Sequence, residues 1–398
     1  MSLRLQPDWD LETPFWVQYT KPNLSKTVHG KIMSSGESVG AFKMEANKKK
    51  KNSVFVQYTD VKPELVTEFR TPIATYSSIH EQKMPNIHCV SLTTTGELCV
   101  SGSDSGSLQI FETNSGTLRR TLKGHFMDVY DAKFFPSDKV VLSAGADFRV
   151  KIWDITDGEC VVSFAGHARR VNCLEFVERG RNVLSGSEDG TIRLWNCATG
   201  DCIRTFPEKK LNQITIGVNQ INLTSSQDQF ISKTNWAEND DRESGTEGKV
   251  LYAAKDDGLV DIWDLRALKR VRQLDSYSKN SPFSEHFSCV GIVNYGFNCY
   301  AAIGRYILVW DIRKPEQINQ VWDPICTSNI SALHKDDVEN SIWAATADGE
   351  CFRIKDNKRT LSLSGSDYEP INDLSYSSNS HQLITSARDG KIRLYRVD

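Results

Sequence analysis

Val150-Lys-Ile-Trp153 and Ile192-Arg-Leu-Trp195 alternate apolar and polar side chains with period two, the pattern of a half-buried β-strand. An Asp-Gly type of turn before each strand predicts a hairpin with a preceding strand. The surrounding residues repeat as well. Gly124-His125, Val140-Val-Leu-Ser-Ala-Gly-Ala-Asp147 and Val150-Lys-Ile-Trp-Asp154 align with Gly166-His167, Val183-Leu-Ser-Gly-Ser-Glu-Asp189 and Ile192-Arg-Leu-Trp-Asn196. Trp153 and Trp195 stand 42 residues apart, inside the period of a four-stranded propeller blade.

Degenerate copies emerge at the same offset after each turn. Phe111, Trp263, Ile354 and Tyr395 occupy the Trp position, and Trp310 keeps its apolar strand although the turn has gone. The anchors 111, 153, 195, 263, 310, 354 and 395 are spaced by 42, 42, 68, 47, 44 and 41 residues. Gly-His, Ser, Asp and Trp at matched offsets form a WD-repeat signature. The expectation is an all-β protein, a seven-bladed WD-repeat β-propeller in which every blade packs between two neighbours. The sequence stops three residues after the last anchor, so the final blade needs a fourth strand from elsewhere, because a bare edge invites aggregation. Residues 64–77, within Glu64 to His80, are the expected closing strand, which assigns 61–398 to the ring.

Residues 1–60 lie outside the repeat. Phe15-Trp-Val-Gln-Tyr19 and Val54-Phe-Val-Gln-Tyr58 read as strands of a small N-terminal β appendage. Lys48 to Lys51 is expected to be a solvated turn between strands rather than a nuclear-import or anionic-surface signal. The long interval before Trp263 places a polar, acidic insertion at 222–248, expected to loop out between the first two strands of the fourth blade.

Composition narrows the functional classes. Apolar residues make up 39%, and 48 Lys plus Arg against 51 Asp plus Glu leave a net charge of −3. No global basic field favours nucleic acid. There is no run of 18 apolar residues, and Met1 to Trp9 lacks the apolar core of a secretory leader. A cytoplasmic, and also nuclear, location is expected. The 10 cysteines are scattered singly and read as reduced thiols.

Ser143 with His125 and Asp147, or Ser185 with His167 and Asp189, can be drawn as nucleophile, base and orienting acid. Convergence on the indole N–H of Trp153 and Trp195 is the stronger reading: a buried indole needs an acceptor and a buried Asp needs donors. Duplication also favours a structural relay. The chain has no phosphate-binding glycine loop, no His-Glu-x-x-His and no metal-ligand spacing. No enzyme activity, metal or cofactor is expected, and a protein-binding scaffold remains. Strands alternate in direction, so the second-to-third turns and the loops between blades emerge on one face, here the top. Candidate partner-binding residues there are Phe126, Asp128, Arg170, Glu188, Asp256, Asp348, Glu369 and Arg388, with Asp104, Ala347 and Asp367 nearby. Acids outnumber bases in this set, and Phe126 is the candidate aromatic anchor.

Leu118-Arg-Arg-Thr-Leu-Lys-Gly-His125, Ala132-Lys-Phe-Phe-Pro-Ser137 and especially the stretch from Val177 to Trp195 make the resemblance more specific. Arg179-Gly-Arg-Asn182 stands where ordinary WD repeats carry Ser-Pro-Asp-Gly. These segments resemble the proteasomal ATPase-associated factor family, WD-repeat chaperones of the proteasome regulatory particle. The resemblance implies that an ATPase subunit of the base, through its C-terminal domain, is bound during assembly and released before the mature particle forms. It also implies a protein that is monomeric when free. The competing classes are another scaffold, such as a ubiquitin-ligase substrate receptor or a ribosome-biogenesis factor, and a hydrolase.

Overall fold

Among the described residues every regular element is a β-strand, as the two-residue periodicity requires. The computed structural model describes residues 2–6, 9, 15–20, 27–32, 42–46, 52–58, 65–77, 79–80, 85–207, 210–211, 214–225, 240–277, 287–322, 326, 328–336, 340–366 and 368–397. Seven sheets carry four ring strands each, paired in chain order in the first six blades, while the seventh takes its fourth strand from the N-terminal side. Blade 2 shows the pattern, with Val129–Phe134, Val140–Gly145, Arg149–Asp154 and Cys160–Ala165 from the centre outward. Val141 lies opposite Trp153 there, as Val183 lies opposite Trp195 in blade 3. The core sits between blades. Val100, Leu108 and Ile110 of blade 1 pack with Val129, Val141 and Trp153 of blade 2, all of them buried. Each large side chain so enclosed contributes about 1.5–3 kcal/mol by burial alone.

The seven first strands contact one another around a central channel. Each is bulged at its second residue, where the register to the second strand shifts. A bulge leaves main-chain groups outside the ladder, and side chains from the same positions bridge to the next blade. Asn172 Nδ2 donates to the Val218 carbonyl (2.8 Å), Asn219 Nδ2 to that of Cys289 (3.0 Å) and Asn372 Nδ2 to that of Ile87 (2.7 Å). One residue further on, Asp131 accepts from the Leu174 N–H (2.8 Å) and Asp373 from the Val90 N–H (3.0 Å). Blade 7 is thereby stitched to blade 1.

The final blade takes its outer strand from the N-terminal side. Ala74–Tyr76 runs antiparallel to Ile392–Arg396, with Thr75 opposite Arg393. The Tyr76 hydroxyl donates to the Thr113 carbonyl, and its ring lies 5.1 Å from that of Phe111, so the closing strand also grips blade 1. The rest of the 64–77 segment goes elsewhere. Leu65–Arg70 runs parallel to Lys358–Leu363, the outer strand of blade 6, and extends that blade with Ser53–Tyr58 and Phe42–Ala46 into a seven-stranded sheet. A boundary at residue 60 therefore cuts through a continuous sheet. Pro72 lies between the two short strands, and lacking an N–H it breaks the ladder where the chain changes blades. A three-stranded sheet that includes Ser2–Leu5 and Phe15–Thr20 supplies Leu3, Leu5, Val17 and Tyr19, which bury against Val54, Val56, Tyr58 and Phe69. Lys48 to Lys51 and residues 226–239 of the insertion lie outside the described residues.

The described part of the insertion is packed rather than looped out. Asn182 donates to the Arg242 carbonyl (3.1 Å) and accepts from the Ser244 N–H (2.7 Å), while Arg204 pairs with Glu243 and Thr246 is buried. Side chains of blade 3 thus supply the partners that a polar segment lacks on its own. Seven cysteines are buried and none forms a disulfide, whereas Cys160 is exposed.

Separate roles for the two N-terminal strands predict separate deletion phenotypes. A chain of residues 72–398 keeps the closing strand and is expected to remain soluble, with a modest fall in thermal midpoint. A chain of residues 79–398 exposes the bare edge of Ile392–Arg396 and is expected to aggregate. Light scattering and thermal denaturation compare them, and equal solubility of the two would refute closure by Ala74–Tyr76.

Candidate functional site

Turn and loop residues of the repeat assemble into two complete relays under the top face. In blade 2 the Trp153 indole N–H donates to Ser143 Oγ (2.7 Å), Ser143 meets His125 Nε2 (2.7 Å), and His125 Nδ1 meets Asp147 (2.9 Å). Blade 3 repeats the arrangement with Trp195, Ser185, His167 and Asp189, at 2.8 Å for each step. The glycine before each His is needed for close approach: a Cβ on Gly124 would lie 3.0 Å from the Trp153 ring, and one on Gly166 3.2 Å from that of Trp195.

Burial would raise the carboxyl of Asp189, but hydrogen bonds from His167, Thr191 and the Ala168 N–H outweigh it and hold the group well below the usual carboxylate range. Asp147 is held low by the same contest, with His125 and the N–H groups of Arg149 and Phe126 as donors. The serine hydroxyls are buried and occupied on both sides. The relay therefore locks the loop between blades onto the strand below it.

Other blades keep fragments. Blade 1 retains His80 against Ser101 (2.9 Å), with Phe111 in place of Trp and Ser105 in place of Asp. The His80 Nδ1 is left with no hydrogen-bond partner among the described residues, and burial pulls its pKa down to about 4. Trp263 and Trp310 sit over Ala253 and Ala301, and their indole N–H groups have no acceptor among the described residues. In blade 7 Tyr395 replaces Trp and reaches the Ser364 carbonyl (2.9 Å).

The acids of the top face converge on the channel mouth. Asp128 lies 3.5 Å from His88 and 3.4 Å from the Tyr130 hydroxyl. Arg170 covers the Tyr130 ring and pairs with Glu188 at 3.2 Å. Asp256 accepts from Asn219 (2.9 Å), and Asp104 from the Asn86 N–H (3.4 Å). Glu369 and Arg388 are exposed on blade 7 and the loop before it, and Ala347 is exposed on blade 6. Below the mouth, burial raises Asp373 to about 7 despite the N–H groups of Val90 and Leu374, and it raises Asp131 as well. The channel encloses about 460 Å³.

Two corrections follow from the placement of these groups. Asp348 is not a free top-face acid: Arg4 of the N-terminal strand pairs with it and with Glu350 (3.0 Å), and Thr346 Oγ1 donates to it (2.6 Å). The appendage carries that charge over the rim, which no local sequence pattern indicates. The acid excess is also smaller than the turn positions suggest, because Arg149 and Arg169 are exposed on the same face. Met127 and Phe148 accompany Phe126 as exposed apolar residues there. The substitution of Asp147-Phe148 for the usual Asp-Gly was the available signal. Asp367 lies outside the described residues. Among those residues no group of three or more His, Cys, Asp or Glu is placed to hold a metal ion.

The chain matches the family model described as WD domain, G-beta repeat at residues 116–154, 158–196 and 357–396. It is 33% identical to "Probable proteasomal ATPase-associated factor 1" of Dictyostelium discoideum, over 99% of this chain and 95% of that protein. "Proteasomal ATPase-associated factor 1" of Bos taurus is 32% identical and that of Homo sapiens 31%, each over 99% of this chain and 98% of the relative.

The relays predict that Trp195→Ala costs about 3–5 kcal/mol, from the cavity and from the orphaned polar groups of Ser185, His167 and Asp189. Equilibrium denaturation measures it, and a loss under about 1 kcal/mol would contradict a locked relay.

His80 and Asp373 predict opposed pH dependences. His80 titrates below its ordinary 6.5, so its contribution is full above that pH and is lost as pH falls toward 4. Asp373 titrates above its ordinary 3.8, so its contribution is present at low pH and is lost as pH rises through 7. Stability measured from pH 7.5 to 4.5 should lose its acid-side decline in His80→Gln and show a steeper decline in Asp373→Asn. Slopes that change in the same direction would contradict both assignments.

Proposed function

Because this chain belongs to the proteasomal ATPase-associated factor family, we propose that it is a non-catalytic scaffold that binds an ATPase subunit of the proteasome base through the top face of its propeller. The observation that carries this reading is the match over 99% of the chain to relatives whose name couples them to that ATPase. The satisfied relays support a scaffold over a hydrolase, since every serine that resembles a nucleophile is fixed by an indole on one side and an imidazole on the other. The ring of Asp104, Asp128, Glu188 and Asp256 around the mouth supports a basic contact surface on the subunit, namely its C-terminal domain. As an assembly chaperone, the protein binds the subunit during assembly and is released before the mature particle forms. It acts as a monomer in the cytoplasm and nucleus.

Charges at a protein interface set association rate and partner choice more than bare affinity. Reversal of Glu188, Asp256 and Glu369 to Lys is expected to weaken binding to the isolated ATPase C-terminal domain at least tenfold, chiefly through slower association, with thermal stability unchanged. Asp157, Glu159 and Asp201 lie on the opposite face, in the turns between third and fourth strands, and are exposed. Their reversal is the control, expected to change little. (Asp336 is unsuitable because it is buried and accepts from Ser341, and residues 337–339 lie outside the described residues.) Surface plasmon resonance at two salt concentrations reads both effects. Equal losses from the two faces, salt-independent binding, or no binding to any base ATPase domain would overturn the reading.

A further inference from the structure

One corner of the top face is built differently from its counterparts. Five other blades carry glycine at the matched turn position, Gly190, Gly258, Gly349 and Gly390 after the turn acid and Gly106 after Ser105 in its place, with φ between 74° and 81°. Blade 2 places Phe148 there with φ 65°. That conformation suits glycine and is unfavourable for a bulky side chain. The ring gains no burial in return: Phe148 is 44% exposed, Met127 53% and Phe126 89%.

The loop that carries Phe126 and Met127 and the turn that carries Phe148 are held together through the main chain. Phe126 and Arg149 both donate their main-chain N–H to the Asp147 carboxylate, at 3.4 and 3.2 Å. Blade 3 makes the same pair of bonds from Ala168 and Thr191 to Asp189, each at 2.9 Å, yet it carries Ala168, Arg169 and Gly190 at the matched positions. The relay therefore works without any large apolar group. Strain and exposure concentrated on residues that the fold does not need mark an interaction site.

The surroundings define the occupant. The main-chain N–H groups of Phe126, Phe148 and Arg149 are already bonded within the corner, so nothing there invites an added strand. An occupant whose backbone is satisfied internally, a helix, meets that condition. Lys123 and Arg149 flank these residues along the chain and Arg169 follows in the next loop of the same face; all three are exposed, and none has an ion pair among the described residues. They favour carboxylates beside the apolar contact. We propose that Phe126, Met127 and Phe148 are an anchor site for an apolar helix face bordered by carboxylates on the bound ATPase subunit. This rests on the reading that such a subunit binds the top face, and it assigns a second contact distinct from the acids of the mouth. The acids govern encounter, while the apolar anchor governs residence time.

Phe148→Gly in the full chain separates anchoring from folding, since it removes the ring and relaxes the backbone. Binding kinetics to the isolated ATPase C-terminal domain are expected to show dissociation at least tenfold faster, with association rate and salt dependence unchanged. The thermal midpoint should be equal or higher. Phe126→Ala should reproduce the faster dissociation. Wild-type kinetics in both variants would overturn the anchor and leave the proposed function standing, whereas absence of binding by the unaltered chain would overturn both. Loss confined to association would also overturn it. So would a concentration-dependent dimer of the unaltered chain, seen by sedimentation, that Phe148→Gly dissolves, because a second copy would then be the occupant.

Discussion

Everything in this molecule depends on seven twisted sheets meeting in a closed ring, and closure is enforced where the inner strands line the channel. A bulge at the second residue of every inner strand frees main-chain groups that would be costly to bury unpaired. Asn172, Asn219 and Asn372 donate across the blade boundary at that level, while Asp131 and Asp373 accept one residue below. The same bonds that satisfy the backbone fix the spacing between blades. They also hold the loops that carry the top face, so the positions of Asp128, Glu188 and Asp256 follow from the ring.

The relays add rigidity unevenly. Blades 2 and 3 have four-member chains from indole to carboxylate, and the loops above them are clamped at both ends. Blades 4 and 5 keep Trp263 and Trp310 but have alanine where the hydroxyl would stand, so their loops lack this clamp. The apolar anchor sits over blade 2, on one of the two best-held loops. A contact residue on a fixed support loses little conformational freedom on binding, which favours long residence. Blade 1 shows the cost of an incomplete relay, a buried imidazole with one nitrogen lacking a hydrogen-bond partner among the described residues.

Much of this was legible in the sequence because the relay needs particular residues at fixed offsets. Gly-His, Ser, Asp and Trp carry chemistry that alanine or leucine cannot supply, and the 42-residue interval located the blades. Features that depend on distant segments were not legible. Leu65–Arg70 lies in a segment that reads as a strand, yet nothing local says that it joins blade 6 in parallel while Ala74–Tyr76 closes blade 7. Arg4 and Asp348 lie 344 residues apart, and only the folded appendage brings them together. The bulge bridges are intermediate. A Val-Asn, Val-Asn and Ile-Asn pair opens three inner strands, a signal that is visible once the strands are aligned but means little alone.

We propose that the top face of the ring receives an ATPase subunit, with acids at the mouth and an apolar corner over blade 2. Hydrogen–deuterium exchange of the full chain, free and saturated with the ATPase C-terminal domain, maps the contact without altering any residue. The account predicts slowed exchange in the loop at residues 124–130, the turn at 146–149 and the turns around Glu188 and Asp256, with the opposite face unchanged. Protection confined to the turns near Asp157 and Asp201, or to the appendage beside blade 6, would contradict it.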